Sequence, residues 1–255
     1  MDITIIKETD SYLLVWKSAG LPITPVKENS ESLISELVKE RPELMNVKGY
    51  SREEYGLLNR LDNQTAGIVI VARTQKAFEG LAEKLKKEQF VKIYLACCHN
   101  LGKRDKGIID IPIAHHYTKK SRMVLVAKGT KFRGKPQICK TYYEKISCDK
   151  ALKEWKKNIG NKIPFPDFYA KSGNIAWILC YITKGKRHQI RLHLMSAGYP
   201  IAGDALYGAK LENKSAPVLP GHALFSIGLR EKSKMAKTFG CFNNNKWNNA
   251  CFNQY

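Results

Sequence analysis

Short apolar runs alternate with polar turns along most of the chain, and this pattern predicts more strands than helices. Short apolar or alternating segments bounded by Gly, Pro or polar clusters are typical of strands. They occur at residues 3–6, 12–17, 67–72, 91–97, 107–113, 122–127, 138–146 and 174–182. Because most of the connections are short, the pattern predicts an α+β fold with a mixed, mostly antiparallel β-sheet and flanking helices.

Helical periodicity appears in a smaller number of places. Ser30 or Asn29 can cap a helix that ends before Pro42, and Thr74 can cap an amphipathic helix with apolar positions from Ala77 to Leu85. A third helix is expected around Ala151, Leu152, Trp155 and Ile159, with its apolar face packed on the sheet rather than on a partner. A fourth is expected over residues 187–197, with Gly198 as its C-cap.

The arrangement of these segments predicts one domain over residues 1–232, with two additions. The first addition, residues 115–140, is expected to form a basic hairpin arm, and the second, residues 149–173, is an insert. Residues 233–255 are rich in Asn and follow no strand or helix period, so an irregular tail is expected there.

The charge balance is unusual for a folded protein and indicates a polyanionic partner. Forty-three Lys and Arg against 23 Asp and Glu give a net charge of +20. Such an excess attracts nucleic acid first and an anionic membrane surface second. No segment approaches the roughly 18 apolar residues of a spanning helix, and the N-terminus has no long apolar core that would indicate a signal peptide. A cytoplasmic protein without a membrane partner is therefore expected.

The seven cysteines are odd in number, scattered and without C-x-x-C spacing. This distribution favours reduced, mostly buried thiols over a disulfide framework. The segment Cys97-Cys98-His99 resembles part of a metal site, but no second pair of ligands follows it. No metal is therefore expected.

Residues 115–140 hold eight Lys or Arg and no Asp or Glu, and His115, His116, Tyr117 and Phe132 lie among them. An arm of this composition could follow phosphates and stack a base. Lys119, Lys120 and Arg122 are the candidate RNA contacts. The alternative is a solubilising surface hairpin, which the complete lack of acids disfavours.

The segment from Asn59 to Gly67 is the first candidate for chemistry. Asp62 lies just before an apolar strand, and Arg60 comes two residues earlier. A carboxylate near a cation can stay ionised while it is partly buried, as a nucleophile or general base requires. Arg60 is also a candidate RNA contact. The alternative is an ordinary turn in which Asp62 or Asn63 bonds its own backbone and Arg60 makes a solvated ion pair.

The second candidate segment is residues 183–204. Lys184, Lys186 and Arg187 precede the expected helix, and cations beside a helix N-terminus form a natural phosphate seat. His188 is a further candidate RNA contact; it lies three residues before Arg191 and shares its side of the helix. A buried arginine needs an anionic partner, and Asp62 and Asp204 are the candidates. A solvated basic turn is the alternative.

Four segments resemble, in order, the motifs of RluA-type pseudouridine synthases. The segment from Asn59 to Gly67 is similar to H-R-L-D-x-x-T-S-G, and Lys92–Ala96 to K-x-Y-x-A. Gly185–Leu194 resembles G-R-x-H-Q-I-R-x-H-L, and Pro200–Gly208 resembles P-I-x-G-D-x-x-Y-G. A weaker similarity, Lys17–Leu21, corresponds to K-P-x-G-L.

The resemblance implies an enzyme that isomerises uridine to pseudouridine in RNA, without a metal or organic cofactor. Ribosomal and transfer RNA are both open as substrates, and a monomer is expected. It implies that Asp62 is the nucleophile, that Tyr94 stacks on the flipped base, and that Arg191 pairs with Asp62 and keeps it charged. The physical requirements agree, because the base must leave its stack and meet an ionised carboxylate in a shielded site.

Four positions depart from the family pattern: Ser18 replaces Pro, Asn59 replaces His, Ala66 replaces Ser, and Lys186 replaces Arg. None of them is Asp62, Tyr94 or Arg191, so activity is expected and a changed choice of RNA is compatible with these residues. A non-catalytic RNA-binding protein on the same scaffold is the alternative. A metal-dependent nuclease is disfavoured because the acids are dispersed.

Overall fold

The computed structural model describes residues 3–27, 30–167, 174–208 and 221–233. Its α-helices are α1 (Leu33–Glu40), α2 (Gln75–Lys86), α3 (Cys148–Ile159) and α4 (Gln189–Ser196), and a 3-10 helix spans Pro42–Asn46. Its strands are β1 (Thr4–Glu8), β2 (Tyr12–Lys17), β3 (Ala66–Ala72), β4 (Phe90–His99), β5 (Lys106–Ile109), β6 (Ile113–His116), β7 (Met123–Leu125), β8 (Phe132–Gln137), β9 (Thr141–Ile146), β10 (Ile175–Ile182) and β11 (Leu224–Glu231).

The chain divides into two compact units. The first contains the described residues up to Lys87 together with Glu154–Phe165 and Phe225–Gly228, and the second contains the remaining described residues. Most strand pairs are antiparallel, and β3 pairs with β11 in parallel. The expected α+β class with a mixed, mostly antiparallel sheet is therefore confirmed.

In the first unit the strand order is β1-β2-β3-β11. Leu14 of β2 is paired with Ile70 of β3, and Ala66 of β3 with Phe225 of β11. Alternate residues of β2 and β3 pack with α1 in one buried cluster: Leu13, Val15, Leu33, Ile34, Leu37, Val69 and Val71. This core fixes β3, the strand that follows the Asp62 segment.

The cap of α1 differs from the sequence prediction. Ser32 is the N-cap: its hydroxyl accepts from the Ser35 amide at 3.1 Å, and the Ser35 hydroxyl accepts from the Ser32 amide at 2.8 Å. Ser30 instead accepts from the Val26 amide in the preceding turn, and Asn29 lies outside the described residues. Ser32 rather than Ser30 caps the helix because Ser35, three residues later, completes a reciprocal capping box with it.

The apolar face of α3 packs as predicted. Trp155 is 1% exposed, and its ring lies edge-on to Trp16 and Phe225 with centroids 5.5 and 5.4 Å away. Its indole N–H donates to the Ile163 carbonyl at 2.9 Å. A buried tryptophan needs such an acceptor, so the insert contributes to the core of the first unit.

In the second unit the order is β4-β10-β9-β5, and β6 lies between β7 and β8 in a separate three-stranded sheet. The single strand expected at residues 107–113 is therefore two strands, β5 and β6. Pro112, which has no N–H for a ladder, lies between them, and its carbonyl accepts from the Val126 amide at 2.8 Å. Residues 132–137 form β8, which the sequence did not predict; Pro136 is tolerated there on an edge strand.

The predicted arm, residues 115–140, thus contributes most of the small sheet rather than a plain hairpin. Its buried side is shared with α4 and with the segment after Asp204, in a cluster of Ile113, Met123, Cys139, Leu192 and Tyr207. Of the eight basic residues in the arm, seven are exposed and Arg122 is half-buried.

No helix in the part of the chain that the structure describes is long and apolar enough to cross a membrane. Of the cysteines, Cys97, Cys98, Cys139 and Cys180 are buried free thiols and Cys148 is an exposed one. The predicted irregular tail, apart from Ser233, lies outside the described residues.

Candidate active site

Asp62 lies in a tight turn that leads directly into β3. The turn closes with a bond from the Thr65 amide to the Asp62 carbonyl at 3.0 Å. Thr65 is buried, whereas the side chain of Asp62 is half-buried. The Gly20 amide donates to the Asn63 carbonyl at 2.9 Å, which joins the turn to the loop after β2. A turn closed by a backbone bond therefore precedes β3, and it holds the carboxylate at the entrance of a buried strand. The expected bond from an Asp62 or Asn63 side chain to its own backbone stays a prediction.

Gly67, near the start of β3, lies directly against the backbone of β11. Its φ is +136°, and a Cβ there would lie 2.4 Å from the backbone nitrogen of Ser226. Only glycine tolerates both the backbone conformation and this approach of two chains. The Gly of the motif is thus explained by the contact between β3 and β11.

Lys17 is the cation that acts on this turn. It is fully buried, and its ammonium donates to the Asn63 carbonyl at 2.7 Å and to the Ser18 carbonyl at 2.9 Å. Burial lowers its pKa from 10.5 to about 8, although the charge of Asp62 acts in the opposite direction. The role of Lys17 could not be predicted from its motif, because one of its acceptors, the Asn63 carbonyl, lies 46 residues away in the sequence.

Asn59 makes a contact that the sequence did not predict, whereas Arg60 makes an exposed ion pair, as the alternative interpretation expected. The Asn59 side-chain oxygen accepts from the Ile70 amide at 2.8 Å, beside a bond from the Leu58 amide to the Ile70 carbonyl at 2.9 Å. An amide side chain here imitates a peptide group of a neighbouring strand. Arg60, whose side chain is 70% exposed, lies 3.5 Å from a carboxylate oxygen of Glu54, so the Arg60 cation that was expected to favour ionised Asp62 pairs elsewhere.

Arg191 is held by a two-point ion pair in the second unit. Its Nε donates to Asp204 Oδ2 at 2.7 Å and its Nη2 donates to Asp204 Oδ1 at 2.8 Å. Asp204 Oδ1 also accepts from the amides of Leu206 and Tyr207. Burial raises the pKa of Asp204, but the Arg191 hydrogen bond and charge and the two amides outweigh it, so its pKa lies below the ordinary value.

Of the two anions considered for Arg191, Asp204 is therefore a partner. The pairing of Arg191 with Asp62 stays a prediction. The two-point geometry fixes the plane of the guanidinium, so α4 presents this cation in one orientation.

Tyr207 joins α4 to the small sheet. Its hydroxyl accepts from the Met123 amide at 2.7 Å and lies 2.8 Å from His188 Nδ1. The guanidinium carbon of Arg191 lies 5.0 Å from the Tyr207 ring centroid, and that of Arg122 lies 6.0 Å away. Both distances are within the range of cation–π attraction.

Two predicted RNA contacts therefore have structural roles. His188 is buried, with φ +56°, and its ring is used in the bond to Tyr207 immediately before α4. Arg122 is half-buried and donates to the Leu206 carbonyl at 2.7 Å. Their side chains point into the protein because each finds a hydrogen-bond partner there. The partner of His188 is the Tyr207 hydroxyl, and the partner of Arg122 is the Leu206 carbonyl.

The other polar residues of α4 bind it to β9 and its neighbourhood. Gln189 donates to the Lys140 carbonyl at 2.9 Å and to the Thr141 hydroxyl at 3.0 Å. His193 lies 2.8 Å from the same hydroxyl and 2.9 Å from the Ile111 carbonyl. Burial lowers the pKa of His193. These bonds explain why polar residues occupy the buried side of a short helix.

The remaining predicted residues lie on the second unit in different environments. Tyr94 is in β4, 7% exposed and paired with Cys180 of β10. Lys184 and Arg187 are exposed and Lys186 is half-buried, all just before the N-terminus of α4. Lys119 and Lys120 are exposed in the turn between β6 and β7.

Comparisons with known proteins agree with the motifs. Residues 11–196 match the family model described as RNA pseudouridylate synthase. A ribosomal large subunit pseudouridine synthase D from Nitrosomonas europaea is 32% identical over 209 residues, which are 80% of this chain and 49% of that protein. An uncharacterized RNA pseudouridine synthase from Aquifex aeolicus is 28% identical over 82% of this chain and 57% of its own length.

The chain thus spans about half the length of these relatives. Among solved structures, human RNA pseudouridylate synthase domain containing 1 covers 90% of this chain and 78% of its own with a TM-score of 0.65 and 19% identity. That likeness supports the fold.

Proposed function

The chain belongs to the RNA pseudouridylate synthase family, and we propose that it isomerises specific uridines in structured RNA to pseudouridine. The observation that carries the proposal is that the matched residues, 11–196, include Asp62, Tyr94 and Arg191 in the family's motifs. The non-catalytic RNA-binding alternative gives no reason to retain all three.

The proposed reaction rearranges one nucleotide without a net change in composition. The bond between N1 of uracil and C1′ of ribose breaks, the base turns, and C5 bonds to C1′. The proton leaves C5 and N1 gains one, so the base keeps its formula. Asp62 is proposed as the nucleophile; the attack can fall on the sugar or on the base, or follow proton abstraction. The fixed turn around Asp62 supports this role, since a positioned carboxylate reacts faster than a mobile one.

Tyr94 and Arg191 are proposed to assist at the same uridine. An aromatic ring provides a platform for a base that has left its stack. A guanidinium favours the ionised form of a carboxylate nucleophile. The two-point bond from Arg191 to Asp204 supports this assignment because it holds the guanidinium plane in one orientation. The proposal uses side chains of this chain alone and invokes no cofactor.

RNA binding is proposed for the exposed cations Lys184, Arg187, Lys119 and Lys120 and for the half-buried Lys186, with Arg60 as a further contact. Phosphates attract such clusters irrespective of sequence. Ribosomal and transfer RNA are both compatible with the surface, and the name of the Nitrosomonas relative favours ribosomal RNA. We propose that the protein acts as a monomer in the cytoplasm.

The test uses total RNA labelled with tritium at uridine C5, because isomerisation releases that label to water. Wild type should release tritium, and Asp62→Asn, which keeps the size of the side chain but removes the nucleophile, should release none while binding RNA as wild type does. Equal release by both would contradict the role of Asp62. Binding without release by either would support the RNA-binding alternative.

A further inference from the structure

The turn between β6 and β7 presents one aromatic ring to solvent among cations. Tyr117 is 61% exposed, and Lys119 and Lys120 next to it are exposed as well. The surrounding residues 115–140 hold eight Lys or Arg and no acid. Another exposed tyrosine, Tyr50, packs edge-on against Phe78 at 5.2 Å and therefore already has a partner within the fold.

The backbone of this turn is held by hydrogen bonds. His116 Nδ1 accepts from the amides of Thr118 and Lys119, at 3.2 and 3.1 Å. The His116 amide donates to the Arg122 carbonyl at 3.0 Å, and the Arg122 amide donates to the Lys119 carbonyl at 3.0 Å. A turn that is ordered before binding loses little conformational entropy when a ligand arrives.

The end of the turn is anchored in the buried network of the second unit. Arg122 donates to the Leu206 carbonyl at 2.7 Å, and the amide of Met123 donates to the Tyr207 hydroxyl at 2.7 Å. Tyr117 therefore projects from a rigid base rather than from a free loop.

An aromatic face beside two ammonium groups matches the chemistry of a nucleotide, which has a π-face and a phosphate. Bases inside an A-form duplex hide their faces in the stack, whereas unpaired bases expose them. The ligand class that uses both parts of this turn is therefore an unpaired nucleotide.

We propose that Tyr117 stacks on an unpaired base of the RNA while Lys119 and Lys120 bind the adjoining phosphates. This inference rests on the proposed function and deepens it, because it restricts the substrate to RNA with a single-stranded loop or bulge within reach of the turn.

The experiment measures the affinity of the full chain for a labelled RNA stem-loop and for a duplex of the same base composition, over a series of salt concentrations. Tyr117→Ala should weaken stem-loop binding about fivefold to a hundredfold, leave duplex binding unchanged and leave the salt slope unchanged. Tyr117→Phe should bind as wild type because it keeps the ring. Lys119→Ala combined with Lys120→Ala should flatten the salt slope for both RNAs.

An equal loss of stem-loop binding in Tyr117→Ala and Tyr117→Phe would overturn the stacking role, as would wild-type binding by Tyr117→Ala. Equal losses on the stem-loop and the duplex would also overturn it. Tritium release at saturating RNA separates this inference from the proposed function: release that depends on Asp62 while Tyr117→Ala binds normally defeats only the stacking. If the wild type releases no tritium but Tyr117→Ala no longer prefers the stem-loop over the duplex, the stacking role stands and only the isomerase activity is contradicted.

Discussion

The ammonium of Lys17 donates a 2.7 Å hydrogen bond to the carbonyl of Asn63, the residue after Asp62. One buried cation therefore connects the end of β2 to the turn of the proposed nucleophile. The charge of Asp62 in turn raises the pKa of Lys17, against the larger lowering effect of burial. The consequences of the bond can be measured through both stability and activity.

Replacing Lys17 with Met should change how stability depends on pH. The pKa of Lys17 is 10.5 when exposed and about 8 in the folded protein. Between these values the unfolded chain binds more protons, so stability should rise with pH in wild type. Relative to Lys17→Met, the gain should be about 3 kcal/mol from pH 8 to pH 10.5. Denaturant unfolding of both proteins across this range measures it, and parallel curves would contradict the lowered pKa.

The same substitution should reduce activity. Without the ammonium, the Asn63 carbonyl keeps only the Gly20 amide as a donor among the bonds described above, and the turn can shift. A misplacement of about 1 Å can cost about a hundredfold in rate. Tritium release at saturating RNA should therefore fall by about tenfold or more at pH 7, with RNA affinity unchanged. A proportional loss of affinity would indicate a binding role instead.

Gly67→Ala should destabilise the first unit severely. Its added methyl would lie 2.4 Å from the Ser226 nitrogen, and φ is +136°. A loss of about 3 kcal/mol or more is expected. Gly80→Ala is the matched control, because Gly80 lies within α2 with open space around it; it should stabilise by up to about 1 kcal/mol. Similar unfolding midpoints for the two variants would be incompatible with the close contact of β3 and β11.

Asp204→Asn should leave Arg191 buried without its two-point anion. Breaking a buried pair typically costs about 3 to 5 kcal/mol. Because the folded pKa of Asp204 is lowered, the stability it supplies is present above the exposed value of 3.8 and is lost as pH falls through the folded value. Urea unfolding should therefore show the wild-type advantage shrinking below about pH 4. The exposed pair of Glu83 and Lys87 provides the control: Glu83→Gln should change stability far less, because solvent screens an exposed ion pair.

Tyr207→Phe should loosen the small sheet without removing the aromatic ring. The Met123 amide would lose its acceptor at 2.7 Å, which costs about 1 to 3 kcal/mol for a buried donor. Hydrogen exchange should quicken at Met123 and its neighbours in β6 and β7. Tyr143→Phe, which removes a longer bond of 3.3 Å to the exposed Arg104, should have a smaller effect. Unchanged protection in β7 would show that Tyr207 does not anchor it.

Asn59 should tolerate Asp better than Leu. The Ile70 amide donates to its side-chain oxygen at 2.8 Å, and Asp keeps an acceptor there whereas Leu does not. Asn59→Leu should lose about 1 to 3 kcal/mol and release tritium more slowly, because the start of the Asp62 segment loses a bond to β3. If Asn59→Asp and Asn59→Leu unfold at the same denaturant concentration, the hydrogen bond from the Ile70 amide does not contribute to stability.

Local chemistry in the sequence was sufficient for much of the fold. Apolar runs located the strands around Asp62 and Tyr94, and Thr74 accepts from the Ala77 amide at 3.2 Å as its capping position predicted. The buried face of α3 followed from helical spacing at Trp155. These features depend on neighbours within one or two turns, so the order of residues is enough to predict them.

The sequence by itself determined most of the strands, though not β8 or β11, together with the positive charge and the residues proposed for chemistry. The tertiary structure decided which partners those residues have: Asp204 for Arg191, Asn63 for Lys17, and Tyr207 for Met123. Tyr207 and Met123 are 84 residues apart, and no periodicity encodes a bond over that separation. Such partners are chosen when packing removes water, because each buried donor must then find an acceptor wherever the fold brings one.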